Sequence, residues 1–136
     1  MINNMKVLFV CTGNSFRSAV AEALLKKLRN NLEVESAGTH PARKIASNAE
    51  RLLEEEDALE NLKERPEGIE KKNLEEYDLI VAMKEHHKHE ILQRFPQVKG
   101  KIRVWDIEDP IYLPNGSDRR VVQEIKRRVT ELANSI

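Results

Sequence analysis

The chain has 136 residues, of which 34% are charged and 40% hydrophobic, and its formal net charge is zero. This length and composition predict one folded domain, residues 1–136, and exclude a disordered chain. A neutral chain has no overall attraction to nucleic acid or anionic lipid, and no apolar run approaches the roughly 18 residues of a membrane span. The first residues lack the pattern of a secretory signal, so we expect a cytoplasmic protein without nucleic-acid or membrane partners.

Short apolar runs alternate with amphipathic segments along the chain. Residues 6–10 are a β-branched apolar run that predicts a buried strand, and residues 17–30 carry apolar side chains at helical spacing. The same criteria predict three further strands, at 33–40, 78–83 and 101–105. A capping box at Ser47 and Glu50 predicts the start of a helix at 47, and further helices are predicted at 84–95 and 117–134. Mixed helical pieces and loop are predicted at 57–76, and a loop at 106–116.

This alternation predicts an α/β fold, a parallel sheet covered by helices on both faces. Right-handed crossovers bring the carboxyl ends of all strands to one edge of such a sheet, and ligands bind there. Cys11 follows the first predicted strand and Asp109 lies just beyond the fourth. We therefore expect these two side chains to meet at the same edge.

Cys11 is the only cysteine, which excludes an internal disulfide and a multi-cysteine metal site. The loop after it enters a helix, so that backbone N–H groups and the helix dipole point at one position, and Arg17 adds a planar fork for two phosphate oxygens. Such a cradle binds a tetrahedral oxyanion and favours the thiolate of Cys11. In-line attack of the thiolate on phosphorus would form a phosphocysteine, with Asp109 protonating the leaving oxygen and later activating water.

These residues resemble the low-molecular-weight protein tyrosine phosphatase family. The similarity lies in VLFVCTGNSFRSAVAEALL at 7–25, VESAGT at 34–39, YDLIVAMKEHH at 77–87 and the pair Asp109-Pro110. The resemblance implies a three-layer sandwich with a four-stranded parallel sheet in the order 2-1-3-4. It also implies Cys11 as nucleophile, Arg17 as the clamp for phosphate and transition state, and Asp109 as general acid.

The resemblance further implies that Asn14 holds a strained turn in the loop and that the Ser18 hydroxyl stabilises the thiolate. The predicted substrate-binding residues are Thr12, Gly13, Asn14, Ser15, Phe16, Ser18 and Tyr112. No metal or other cofactor is expected. The partner is a phosphorylated protein or peptide substrate, and the protein is expected to be a monomer or a weak dimer.

The sequence departs from the family pattern at the loop and at the cleft walls. Many members have a second cysteine where this chain has Phe16, and the related arsenate reductases use two further redox cysteines. Tyrosine-selective members often have two aromatic residues after Asp-Pro, whereas here Ile111 precedes Tyr112. Ser15 is a hydroxyl residue, as is the threonine of bacterial protein-arginine phosphatases, where tyrosine-specific relatives carry an aliphatic residue. Residues 57–72 match the family poorly.

Structural interpretations of the same residues stay open. Cys11 alone is compatible with a buried thiol, Arg17 with a surface ion pair and Ser18 with a helix-start hydroxyl. Asp109 is also a common turn residue before proline, and its rivals as the acid are Asp106 and Glu108.

Tyr112 and a group of three histidines also have alternative interpretations. Tyr112 suits either the cleft wall or packing. The histidines at 86, 87 and 89 suggest a metal site, but without an HExxH motif or a cysteine partner a solvated helix face fits better.

The leading functional hypothesis is a cysteine-dependent protein phosphatase that hydrolyses phosphotyrosine through a phosphocysteine intermediate. The first alternative is a protein-arginine phosphatase of the same fold. The second is a non-catalytic phosphate-binding module, which the sequence favours less because such a module needs neither Cys11 nor Asp109.

Overall fold

A computed structural model describes residues 5–136. Its four strands are β1 (Lys6–Cys11), β2 (Glu33–Gly38), β3 (Leu79–Ala82) and β4 (Ile102–Val104), and its four α-helices are α1 (Arg17–Leu28), α2 (Ser47–Glu55), α3 (Glu85–Arg94) and α4 (Ser117–Ser135). All strand pairs are parallel and the sheet order is β2-β1-β3-β4. The predicted fold and strand order are confirmed.

Side chains from β1 pack on both faces of the sheet, as the period of two along a strand requires. Val7 and Phe9 lie in the larger core, beneath α1, α2 and α4. Leu8 and Val10 lie in the smaller core, with Ile91 of α3. The sheet is therefore the middle of three layers, and α4 turns its predicted inward residues into the larger core: Val121, Ile125, Val129 and Leu132.

One local prediction is wrong, and the prediction of helical pieces and loop at 57–76 is confirmed. The capping box is wrong, because Ala46 is the N-cap residue of α2 and its carbonyl accepts the N–H groups of Ala49 and Glu50. The N–H of Ala46 donates to the Ser15 carbonyl at 3.1 Å and so holds Ala46 in an extended conformation. Ser47 is therefore already inside the helix. Residues 57–76 form three short 3-10 helices with connecting loop, at Leu59–Asn61, Ile69–Lys71 and Leu74–Glu76.

Three loops meet at the carboxyl edge of the sheet: the β1 loop (12–16), the β2 loop (39–46) and the β4 loop (105–116). The β2 loop is bonded to the β1 loop by backbone hydrogen bonds from His40 to Thr12, at 2.8 Å, and from Ala42 to Gly13, at 2.9 Å. The β4 loop contains the 3-10 turn Pro110–Tyr112. None of the helices found between residues 5 and 136 is long and apolar enough to cross a bilayer.

Candidate active site

The thiol of Cys11 lies at the end of β1, where only 3% of the residue is exposed. Its Sγ is 3.0 Å from the Ser18 hydroxyl and 3.3 Å from the backbone N–H of Asn14, which donates to it. Hydrogen bonds from donors stabilise a thiolate more than a thiol. The sulfur therefore sits in a donor environment at the mouth of α1, where the positive end of the helix dipole adds to the effect.

Asn14 holds the β1 loop in its turn. Its φ of 54° is in the left-handed region, which asparagine tolerates better than most residues. Its side chain is buried, and Nδ2 donates to the hydroxyls of Ser18, at 2.8 Å, and Ser36, at 2.9 Å. Ser36 donates in turn to the Glu22 carboxylate at 2.5 Å. Because Ser18 accepts from Asn14, its own hydrogen is available to Cys11 Sγ.

Lys63 fixes the orientation of the Asn14 amide. Asn14 Oδ1 accepts hydrogen bonds from Lys63 Nζ, at 2.7 Å, and from the backbone N–H of Glu67, at 2.9 Å. Lys63 also donates to the Ser36 carbonyl at 2.9 Å and pairs with the Glu67 carboxylate. This segment lies within the poorly matching residues 57–72, and nothing in the sequence indicates that Lys63 contacts the β1 loop.

Gly38 permits close contact between the ends of β2 and β1. A Cβ atom at this position would lie 2.5 Å from the Thr12 carbonyl oxygen, which is closer than backbone atoms tolerate. Gly38 pairs with Cys11 in the sheet, and its N–H donates to the Glu67 carbonyl at 2.8 Å. A side chain here would therefore displace the β1 loop.

Lys63→Met is expected to lower kcat/KM by about tenfold to a hundredfold, because loss of a hydrogen bond between charged and buried groups costs about 1.5–3 kcal/mol. The Lys63 side chain is 10% exposed, and its replacement by methionine removes one of the two donors to Asn14 Oδ1. Steady-state kinetics with p-nitrophenyl phosphate measures the change. Lys99→Met is the matched control, because Lys99 is exposed and precedes β4 at the opposite edge of the sheet. Equal activities of the two variants would contradict the role of Lys63.

Arg17 joins the β1 loop to the β4 loop. The residue is 4% exposed, and its Nη1 donates to the carbonyl of Ile107 at 2.9 Å. Its Nη2 lies 3.5 Å from Asp109 Oδ2, and Asp109 Oδ1 accepts the N–H of Ile111 at 3.1 Å. Arg17 thus contacts the loop that carries Asp109, and this loop lies at the same edge of the sheet as Cys11 at the end of β1.

The two rival acids lie outside this arrangement. Lys84 Nζ binds the Asp106 carboxylate at 2.7 Å and also contacts the Glu108 carboxylate. The Asp106 and Glu108 side chains are 77% and 55% exposed, compared with 33% for Asp109. The Lys84 ammonium lowers the pKa of Asp106, so this carboxyl holds its proton less readily than usual. Of the three acids, Asp109 is the one that lines the cleft.

The cleft above the β1 loop has a volume of about 580 Å³. Its lining includes Thr12, Gly13, Ser15, Phe16, Ile111 and Asp118. Phe16 is 8% exposed and packs into the larger core, so it forms part of the floor of the cleft. Tyr112 is 83% exposed and does not pack into the core. Its position as a cleft wall stays a prediction.

The three histidines of α3 do not share one environment. The side chains of His86 and His89 are 62% and 71% exposed, as predicted for a solvated face. For His87 that prediction is wrong, because its side chain is fully buried. His87 lies four residues before the buried Ile91, and this helical spacing indicates the inward face. Within the described range 5–136, no group of His, Cys, Asp and Glu side chains is arranged to hold a metal ion.

Comparison with known proteins assigns the family. A family model described as low molecular weight phosphotyrosine protein phosphatase matches residues 6–136. The chain belongs to this family of cysteine-dependent phosphatases. The phosphatase is 32% identical to a protein-arginine-phosphatase of Geobacillus stearothermophilus, over 96% of this chain and 95% of the relative. It is 33% identical to the low molecular weight protein-tyrosine-phosphatase Wzb of Salmonella typhimurium, over 88% of this chain and 83% of that relative.

Solved structures show the same fold. A low molecular weight protein tyrosine phosphatase from T. tengcongensis matches with a TM-score of 0.88 and 26% identity, covering 98% of this chain and all of that one. The similarity in fold therefore extends over nearly the whole chain.

Proposed function

We propose that this phosphatase hydrolyses phosphotyrosine in proteins or peptides through a phosphocysteine at Cys11. The observation that supports the proposal is the position of Cys11 Sγ, which two donors contact while Arg17 and Asp109 stand together at the same edge. A thiolate held in this way is a nucleophile, and a buried guanidinium at the same edge of the sheet can stabilise the charge of a transferred phosphoryl group.

The reaction has two phosphoryl-transfer steps. In the first, the Cys11 thiolate attacks phosphorus, the S–P bond forms and the P–O bond to tyrosine breaks, while Asp109 gives its proton to the phenolic oxygen. In the second, the Asp109 carboxylate takes a proton from water as the water oxygen attacks phosphorus. The S–P bond then breaks, so that inorganic phosphate leaves and the thiolate is restored.

We infer a role for each donor around the phosphoryl group. Arg17 binds two of its oxygens with its guanidinium fork, and the N–H groups of residues 12–16 surround the others. Ser18 stabilises the thiolate as a leaving group in the second step, since it faces Sγ at 3.0 Å. Asn14 keeps the loop in shape through its left-handed backbone and its buried amide.

A second candidate substrate is phosphoarginine. Ser15 places a hydroxyl at the cleft, and the carboxylates of Asp109 and Asp118 suit a cationic guanidinium. Among the described residues that line the cleft, the one aromatic is the largely buried Phe16, so an aryl group finds little stacking surface. The Geobacillus relative, named as a protein-arginine-phosphatase, adds to this possibility.

Side-by-side turnover of phosphotyrosine and phosphoarginine peptides distinguishes the two substrates. We expect the higher kcat/KM for phosphotyrosine, and Ser15→Ile is expected to preserve that activity while reducing any phosphoarginine turnover. A wild-type preference for phosphoarginine that Ser15→Ile removes would contradict the phosphotyrosine proposal. Binding of both peptides without hydrolysis would instead indicate a phosphate-binding module.

A further inference from the structure

His87 connects α3 to the β1 loop. Its ring is fully buried, Nδ1 accepts the backbone N–H of Lys84 at 3.0 Å, and Nε2 lies 2.8 Å from the Thr12 hydroxyl oxygen. A neutral imidazole carries one ring proton. Since Nδ1 accepts a hydrogen bond, this proton is on Nε2, which donates it to Thr12.

The electrostatic environment keeps this ring neutral. Burial lowers the pKa of His87 to about 3, and the electrostatic effects of His86, Arg17 and Lys84 act in the same direction. At neutral pH the two ring nitrogens therefore keep different roles, one as acceptor and the other as donor. The direction of the hydrogen bond between His87 and Thr12 follows from these roles.

Thr12 is the residue after Cys11, and it lines the cleft beside Gly13 and Ser15. A threonine hydroxyl accepts hydrogen bonds through its lone pairs and has one hydrogen to donate. The bond from His87 occupies a lone pair and selects one χ1 rotamer of a β-branched side chain with few choices. The hydroxyl hydrogen is left for an acceptor on the cleft side.

We propose that His87 is a positioning residue for the phosphatase reaction: it holds Thr12 so that the Thr12 hydroxyl donates to a phosphoryl oxygen of the substrate. This inference rests on the proposed phosphocysteine mechanism, since it places the phosphoryl group above Cys11. Thr12 thereby adds a side-chain donor to the backbone donors of the β1 loop, and α3 takes part in substrate binding without contacting the substrate.

Thr12→Val tests the donor because valine keeps the shape of threonine without its hydroxyl. We expect kcat/KM for p-nitrophenyl phosphate to fall by about tenfold to a hundredfold, the usual effect of losing a hydrogen bond to a charged group. The inhibition constant of inorganic phosphate should rise in parallel, and Thr12→Ser should retain most of the activity. Activity and phosphate inhibition of Thr12→Val within twofold of wild type would overturn the proposal.

Variants at His87 test whether it acts through Thr12. His87→Leu is expected to reduce kcat/KM as Thr12→Val does, and His87→Gln to restore part of it, since its amide N–H can replace Nε2–H. In the double variant of Thr12→Val and His87→Leu, the second change should add little, because both remove one interaction. Fully additive effects would overturn the positioning role.

Two controls separate this role from a loss of folding. His89→Leu changes another histidine of α3, whose side chain is 71% exposed, and is expected to keep wild-type kinetics. Melting temperatures identify any His87 variant that fails to fold, and in that case the Thr12 variants decide the outcome. Cys11→Ser in the same assays tests the underlying mechanism: if it is inactive while Thr12→Val stays fully active, only the present inference fails.

Discussion

Cys11→Ser is expected to reduce turnover of p-nitrophenyl phosphate on the order of 10⁴-fold or more, because a covalent nucleophile is lost while only binding and electrostatic terms remain. Phosphate binding is expected to persist. The N–H groups of the β1 loop and the buried Arg17 do not depend on the sulfur, and the Ser18 and Asn14 contacts accommodate a hydroxyl. Hydrolysis kinetics and calorimetric phosphate titration on one preparation measure both effects.

The same experiment locates the intermediate. Cys11 is the sole cysteine, so a phosphothiol trapped by rapid acid quench and detected by intact mass can lie only there. The wild type is expected to gain one phosphoryl group under these conditions, and Cys11→Ser is expected to show no turnover-dependent gain. Activity of Cys11→Ser within tenfold of wild type would rule out the mechanism.

Asp109→Asn is expected to slow the first phosphoryl transfer by about 10² to 10⁴-fold for phosphotyrosine, the range of general acid catalysis. The effect should be smaller for p-nitrophenyl phosphate, because p-nitrophenolate leaves without a proton more easily than the tyrosine phenolate does. Single-turnover kinetics separates this step from hydrolysis of the phosphocysteine. The high-pH limb of the pH–rate profile should also flatten, since that limb reports loss of the proton from the acid.

Asp106→Asn is the matched control for the acid. Asp106 is an aspartate of the same loop, but its carboxylate pairs with Lys84 and its side chain is 77% exposed. We expect this variant to preserve both the leaving-group dependence and the pH profile. If Asp106→Asn alters them and Asp109→Asn does not, the acid is wrongly assigned, whereas the chemistry of Cys11 would stand.

Much of the fold was accessible from the sequence because its determinants are local. The apolar run of β1 and the helical spacing of α4 each predict an element and the side that faces the core. Once strands and helices alternate, the geometry of parallel sheets brings Cys11 and Asp109 to one edge. These predictions required only residue type, spacing and the right-handed crossover between parallel strands.

The residues that support the β1 loop could not be predicted from the sequence, because their role depends on partners that are distant in the chain. Lys63 acts on Asn14 and Gly38 accommodates the Thr12 carbonyl, yet neither residue type nor spacing indicates these contacts. His87 differs, since its four-residue spacing from Ile91 predicts burial, although the sequence gives no partner for a buried imidazole. The prediction of Ser47 as N-cap was wrong because the hydrogen bond from the Ala46 N–H to the Ser15 carbonyl outweighs the preference of serine for the N-cap position.

The contact between Arg17 and the β4 loop has a consequence for how the protein is made. Arg17 and Ile107 are 90 positions apart, and Asn14 and Lys63 are 49 apart. Contacts of such long sequence separation form only after the entropy of closing large loops has been overcome. A growing polypeptide therefore exposes its thiol well before Asp109 has been synthesised. Catalytic competence arises only with the complete native state, and a partly folded chain carries the cysteine without the acid.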